Sequence, residues 1–188
     1  MKLNTLTIGQ RLGLLASLLL LATLFIGLRG LLINSDSQAQ NEQIMAMEQT
    51  ITSSIDTARN AQVQFKIQVQ EWKNTLIRGA QGQEAFDKYK KAFVAESQNT
   101  QTLLTRLSEL LPKIGMDNQQ VLATRDIHAS LEQKYLAALA TYQVGDPTSA
   151  QRVDKQVTGI DREPTKMIDN VVARTLQHAE RSEEHTSE

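Results

Sequence analysis

Residues 12–28 read LGLLASLLLLATLFIGL, with Ser17 and Thr23 as the only polar side chains. Arg29 interrupts the run, and Gly30, Leu31, Leu32 and Ile33 carry it on, so residues 12–33 form one apolar segment. A helix of this length reaches ~33 Å, enough to cross a hydrocarbon core of roughly 30 Å. The pattern predicts a transmembrane helix with residues 1–11 before it. Lys2 and Arg11 lie in that leader and no acid appears before Asp36, which predicts a cytoplasmic N-terminus and an exported remainder. A cleaved signal peptide is the competing reading, with Ser37-Gln38-Ala39 as its small-x-small site. Signal-peptide cores run only ~7–15 residues, and this one is longer.

Beyond the apolar run the hydrophobic period changes to sevens. Ile44, Ile51, Ala58, Phe65 and Trp72 recur at that spacing, and Ile55, Val69 and Leu76 fall four residues later. Glu48 and Gln62 take the remaining places of the second row. Residues 34–78 hold neither Pro nor Gly, so the pattern predicts one long helix continuing the membrane segment, ended by Gly79. A second helix is predicted over 84–111, with Phe86, Phe93, Thr100 and Leu107 at sevens and Pro112 as its stop. A third is predicted over 118–144, with Val121, His128, Tyr135 and Tyr142 in one row and Thr124, Leu131 and Ala138 in the other. Asp117 with Gln120 fits a capping box at its start. The fourth is predicted over 148–180, opened by Asp146-Pro147, with a kink or short break over 160–165 at Pro164. Similar lengths and short connections predict an all-α fold: the transmembrane helix runs into an antiparallel up-down-up-down four-helix bundle over residues 34–180. Glu48, Gln62, Thr100, Thr124 and His128 would give that bundle a partly polar seam.

Composition narrows the function. The 188 residues carry a formal net charge of −1, so no basic field invites nucleic acid. Cysteine is absent, which removes disulfides, thiolate metal sites and thiol nucleophiles. Residues 181–188 read RSEEHTSE and resemble a translated sequencing adapter, so they are set apart from the fold. The expectation is then a natural chain that continues past Glu180, into a second membrane span.

No chemistry of an enzyme is legible. There is no phosphate loop and no nucleophile elbow, and no Glu stands three residues before any histidine. His128 and Glu132 share a helix face but lack a second ligand pair, so no metal and no cofactor is expected. The unusual stretch is AQVQFKIQVQEWKNTLIRG, residues 61–79. There Val63, Phe65, Ile67, Val69 and Trp72 spread apolar surface around a helix, as either a wide core face or a contact with a second subunit. Arg59, Lys66, Lys73, Asn74, Arg78 and Arg125 are candidates to hold a small anion.

The run FKIQVQEWKN followed by IRG, then FDKYKKAF and later GIDREPT, resembles the sensor end of bacterial methyl-accepting chemotaxis proteins. The resemblance covers residues 1–180. It implies a periplasmic ligand-binding bundle between two inner-membrane spans, acting as a homodimer. A small molecule or a periplasmic binding protein would be its stimulus. It further implies a HAMP relay and a cytoplasmic coiled coil that controls a histidine kinase, both outside these residues. The arginine pattern of the amino-acid-binding members has no match here, so no ligand residue follows from the resemblance. Two other readings stay open: the sensor of a membrane histidine kinase or diguanylate cyclase, and a membrane-tethered structural or adaptor bundle.

Overall fold

The computed structural model describes residues 7–186. They are all-α, with no strand among the described residues. Helix α1 spans Ile8–Gly79, α2 Gln83–Leu110, α3 Gln119–Leu139, α4 Ser149–Gln156 and α5 Arg162–Thr186. A 3₁₀ turn, Leu111–Ile114, follows α2. The chain divides into two compact units, Met1–Ala46 and Met47–Glu188.

In the first unit, α1 begins with a reciprocal cap that the sequence reading passed over. The Thr7 amide donates to Gln10 Oε1 at 3.1 Å and the Gln10 amide donates to Thr7 Oγ1 at 3.4 Å. Ile8–Leu31 is long and apolar enough to cross a membrane, and none of it is buried. Its start lies four residues ahead of the expected Leu12, and the expected end, Leu32 and Ile33, falls on side chains outside the described set. Both hydroxyls are satisfied within the helix. Ser17 donates to the Gly13 carbonyl at 2.8 Å and Thr23 to the Leu20 carbonyl at 2.9 Å, so neither needs water.

The second unit holds the core. On α1 the row of sevens is buried as its spacing predicts, at Ala58, Phe65 and Trp72. The companion row differs. Ser54, Ala61, Gln68 and Thr75 are buried, three residues after or four before each member of the first row, and Leu76 joins them. Ile55, Gln62 and Val69 are only half-buried, and Glu48 and Ile44 are exposed. Gln62 lies at the edge and donates to Asp169 Oδ1 on α5 at 2.6 Å. Thr100, Thr124 and His128 are fully buried.

Two apolar clusters fill the unit. One gathers Phe65 and Trp72 of α1, Phe93 of α2, Leu131 and Tyr135 of α3, Val153 of α4 and Ile168 of α5. The other gathers Ala58 and Ala61 with Leu104, Leu107, Val121 and Val171. The first is aromatic at its centre. The Trp72 ring centroid lies 4.4 Å from Tyr135 and 6.0 Å from Phe93, and Phe93 meets Tyr135 edge-on at 5.6 Å. Such tilted pairs add ~0.5–1.5 kcal/mol beyond the area they bury. The end of α1 comes close against α2, where a Cβ on Gly79 would stand 3.0 Å from the Phe86 ring.

The later helices are shorter than their patterns. The third was expected to reach Val144, but α3 ends at Leu139. Thr141 turns its hydroxyl to the Ala138 carbonyl at 2.8 Å, and Tyr142 leaves the helix to donate to the Leu76 carbonyl at 3.0 Å and stack on Phe86. Its cap is Asn118, not Asp117. Asp117 instead accepts from the Gln119 amide at 3.2 Å. The expected fourth helix is two helices, with residues 157–161 between them. Gly159 turns there with φ 79°, a left-handed conformation that disfavours side chains. Pro164 thereby falls in the first turn of α5, where its missing N–H leaves no helical bond unmade. Asp146 anchors the start of α4, accepting from the Thr148 amide, the Thr148 hydroxyl and Arg152, each at 2.8 Å. Those bonds, the amide's first, hold its carboxyl down at about 2.

Phe93 is fully buried between Trp72 and Tyr135. Phe93→Ala is expected to destabilise the second unit by about 3–5 kcal/mol, read from chemical denaturation followed at 222 nm.

Candidate functional site

Where the two apolar clusters meet, the helices place polar side chains face to face. His128, fully buried on α3, is held on both ring nitrogens. Gln101 Nε2 of α2 lies 2.6 Å from its Nδ1, and its Nε2 lies 2.7 Å from Gln68 Oε1 of α1. An amide nitrogen can only donate, so Nδ1 is the acceptor and the ring proton sits on Nε2, donating to Gln68. The same Gln101 nitrogen also donates to the Arg125 carbonyl at 2.9 Å. The Phe65 ring lies 5.4 Å from the imidazole, edge-on. Burial lowers the His128 pKa to about 4, so the ring is neutral at physiological pH.

The layer is incompletely satisfied. Gln68 Nε2 and Ser97 Oγ are buried without a hydrogen-bond partner among the described residues. Ser97 lies one helical turn before Gln101 on α2. Beside it Thr100 turns its hydroxyl back to the Glu96 carbonyl at 2.9 Å, and Thr124 does the same to Gln120 at 2.7 Å. The sequence marked Thr100, Thr124 and His128 but missed Gln68, Ser97 and Gln101. Gln68 is the outlier that could have been found, since it stands three after Phe65 and four before Trp72, at a core spacing.

A cleft of about 280 Å³ opens elsewhere, between α1, α3 and the α4–α5 break. Trp72 and Tyr135 form its floor, and Lys73, Asp154, Asp161 and Arg162 stand around it. Burial, then the Asp161 and Asp154 carboxylates, push the Tyr135 phenol well above its ordinary value.

The six candidate anion-holding residues occupy separate surroundings. Arg59 and Lys66 are exposed on α1, and Lys73 stands at the cleft. Asn74 donates to Glu71 Oε1 at 3.1 Å, and the Arg78 guanidinium lies 5.6 Å from the Tyr89 ring centroid. Arg125 pairs with Asp126 at 3.3 Å. Of the six, only Lys73 lines the cleft. Of the five apolar candidates on α1, Phe65 and Trp72 are core and Val69 packs half-buried against it. Val63 and Ile67 are turned outward, 48% and 38% exposed. Among the described residues no group of acidic and histidine side chains is placed to hold a metal ion.

The buried imidazole makes stability depend on pH. Its pKa is about 4 folded and 6.5 in the unfolded chain, so between those values the unfolded state binds the extra proton. Stability is therefore full above pH 6.5 and falls as pH drops towards 4, by a limit of roughly 3 kcal/mol. His128→Gln should flatten that slope relative to the wild type in denaturation measured from pH 4.5 to 7.5. Ser97→Ala removes an unpartnered hydroxyl and is expected to raise stability by about 1 kcal/mol in the same assay.

The comparisons with known proteins are narrow. No family model matches the chain, and no solved structure matches it. Over 115 residues it is 37% identical to the methyl-accepting chemotaxis protein CtpH of Pseudomonas aeruginosa, an alignment covering 57% of this chain and 18% of the relative. The chain thus spans less than a fifth of that protein's length, and over the shared stretch it is similar to a chemotaxis receptor.

Proposed function

We propose that residues 1–180 are the sensing end of a bacterial transmembrane chemoreceptor, and that the chain is a receptor part without enzymatic activity. The observation that carries this reading is the 37% identity to a methyl-accepting chemotaxis protein, in a chain that also has an apolar N-terminal helix. In this reading residues 1–11 are cytoplasmic, 12–33 cross the inner membrane, and 34–180 are a periplasmic up-down-up-down four-helix bundle. The later part of α1, then α2, then α3, then α4 with α5 are its four legs. Ligand binding biases two packings of the bundle that differ by little free energy, and the difference is read by a cytoplasmic kinase-control module. A core that is polar at Gln68, Thr100, Thr124 and His128 suits such a small gap.

Two copies associate, in this proposal, along the outer face of α1. Val63, Ile67 and Ile77 share that face at heptad spacing and are 48%, 38% and 71% exposed, which supports the assignment. Since the chain has no cysteine, substitutions report contacts cleanly. Val63→Cys and Ile67→Cys in membranes should give a disulfide-linked dimer on mild oxidation, and Ser130→Cys on α3 should not. Equal cross-linking at all three positions would remove the α1 interface. The receptor reading itself is tested by joining residues 1–180, through a second membrane span, to the kinase-control half of a characterised chemoreceptor. Stimulus-dependent kinase activity in that chimera is the expected outcome, and a kinase indifferent to every stimulus screened would count against it.

A further inference from the structure

Gln68 and Ser97 are the two members of the buried layer with hydrogen-bonding capacity left unspent, and they stand at one level of the seam between α1 and α2. Along that seam Gly79 comes against Phe86, where a Cβ would lie 3.0 Å from the ring, and Trp72 meets Phe93 at 6.0 Å. Seven residues back along α1 thus match seven forward along α2, the register of an antiparallel pair. Gln68 lies four residues before Trp72 and Ser97 four after Phe93, so the same register sets them opposite one another. Both are fully buried. Gln68 Nε2 is a donor without an acceptor, and Ser97 Oγ, which can accept, is without a donor among the described residues.

Ser97 differs from the buried hydroxyls around it. Ser54, Thr75, Thr100, Thr124 and Thr175 each fold back onto the carbonyl four residues earlier in their own helix, at 2.7–2.9 Å. Ser97 makes no such bond, so its oxygen is kept off its own backbone. Gln68 is committed in the other direction: its Oε1 accepts from His128 Nε2 at 2.7 Å, which fixes the amide and leaves its nitrogen no claim on the imidazole. A stranded donor and a stranded acceptor each cost stability, and one bond between them would relieve both. We propose that Gln68 and Ser97 are the two halves of a switchable contact between α1 and α2. They are apart in the packing described above and hydrogen-bonded in a second packing, reached by a small shift or turn of α2 against α1. In the second packing the chain from Gln101 through His128 and Gln68 arrives at Ser97, one turn from its starting point on α2, and closes a loop across three helices. In the first, Gln68 ties α1 to α3 alone. The contact gives the receptor reading its two packings and rests on that reading for its purpose, while the exchange itself is measured without any stimulus.

The test uses the full chain in detergent micelles, with NMR relaxation dispersion and saturation transfer at the ring ζ carbons of isotope-labelled phenylalanine, whose shift a ring flip does not alter. Of the four phenylalanines, Phe65 lies edge-on to His128 and Phe93 precedes Ser97 by one turn, so both flank the contact. Phe25, in the apolar N-terminal helix, is the internal reference. Exchange on the microsecond-to-millisecond scale with a second state at about 1–10% is expected at Phe65 and Phe93, and none at Phe25. Ser97→Ala should abolish that exchange. Thr124→Val removes a buried hydroxyl already bonded to its own helix and should leave the exchange in place. The idea is overturned if Phe65 and Phe93 show no exchange, if exchange survives Ser97→Ala, or if Thr124→Val removes it as completely. It is equally overturned if Ser97→Ala is less stable than the wild type, the sign of a water joining the two groups at rest. No exchange with a responsive chimera would leave the receptor reading standing with its two packings elsewhere. Exchange with a silent chimera would do the opposite.

Discussion

One imidazole sets the register of three helices. His128 takes a hydrogen bond from Gln101 on one nitrogen and gives one to Gln68 from the other, at 2.6 and 2.7 Å. Each bond crosses between helices, the one to Gln68 buried and the one from Gln101 partly so, where water competes weakly for them. The direction is fixed as well, because the Gln101 nitrogen leaves His128 only one tautomer. Sliding α1, α2 or α3 by one residue would strand at least one of these groups, and a stranded buried polar group costs about 1–3 kcal/mol. A purely aliphatic layer would tolerate such a slip far better. The polar layer therefore gives up some stability and gains a defined alignment.

This layer also divides the core. On α2 it separates Phe93 from Leu104, and on α3 it separates Leu131 from Val121, so the aromatic cluster and the aliphatic cluster are packed largely apart. The aromatic half is the more constrained, with Trp72, Phe93 and Tyr135 interlocked and Tyr142 tying the α3 end to the Leu76 carbonyl. That half also carries the break between α4 and α5 and the charged cleft.

The helical class and most of the chain's helices were legible because they rest on local signals. Breaker-free stretches, Pro112 after the second helix and the row Ala58, Phe65, Trp72 needed no tertiary information. What failed was the assumption that apolar residues mark the inner face. It selected Val69 over Gln68, and Gln62 fell into the seam in place of Ala61. Gln68 is buried because of a histidine sixty positions away, and no window along α1 contains that partner. The α3 end was misjudged for a similar reason, since Tyr142 keeps the seven-residue beat while its hydroxyl is drawn to the first helix. At Pro164 the local rule was sound but incomplete: a proline disrupts a helix interior, and the chain resolved this by starting a helix just ahead of it. The cleft was invisible in the sequence, where Lys73 and Arg162 stand 89 positions apart and Lys73 was grouped with its neighbours on α1.

Trp72 is the sole tryptophan of the chain and belongs to the floor of that cleft. Its indole therefore serves as a built-in optical reporter, excited apart from the three tyrosines and undiluted by other emitters. It rests against Tyr135 and Phe93 and follows Gln68 by one turn of α1, so it stands beside both the recess and the buried imidazole layer. A change in its emission wavelength or polarisation would register rearrangement at either place without a label, in the purified chain.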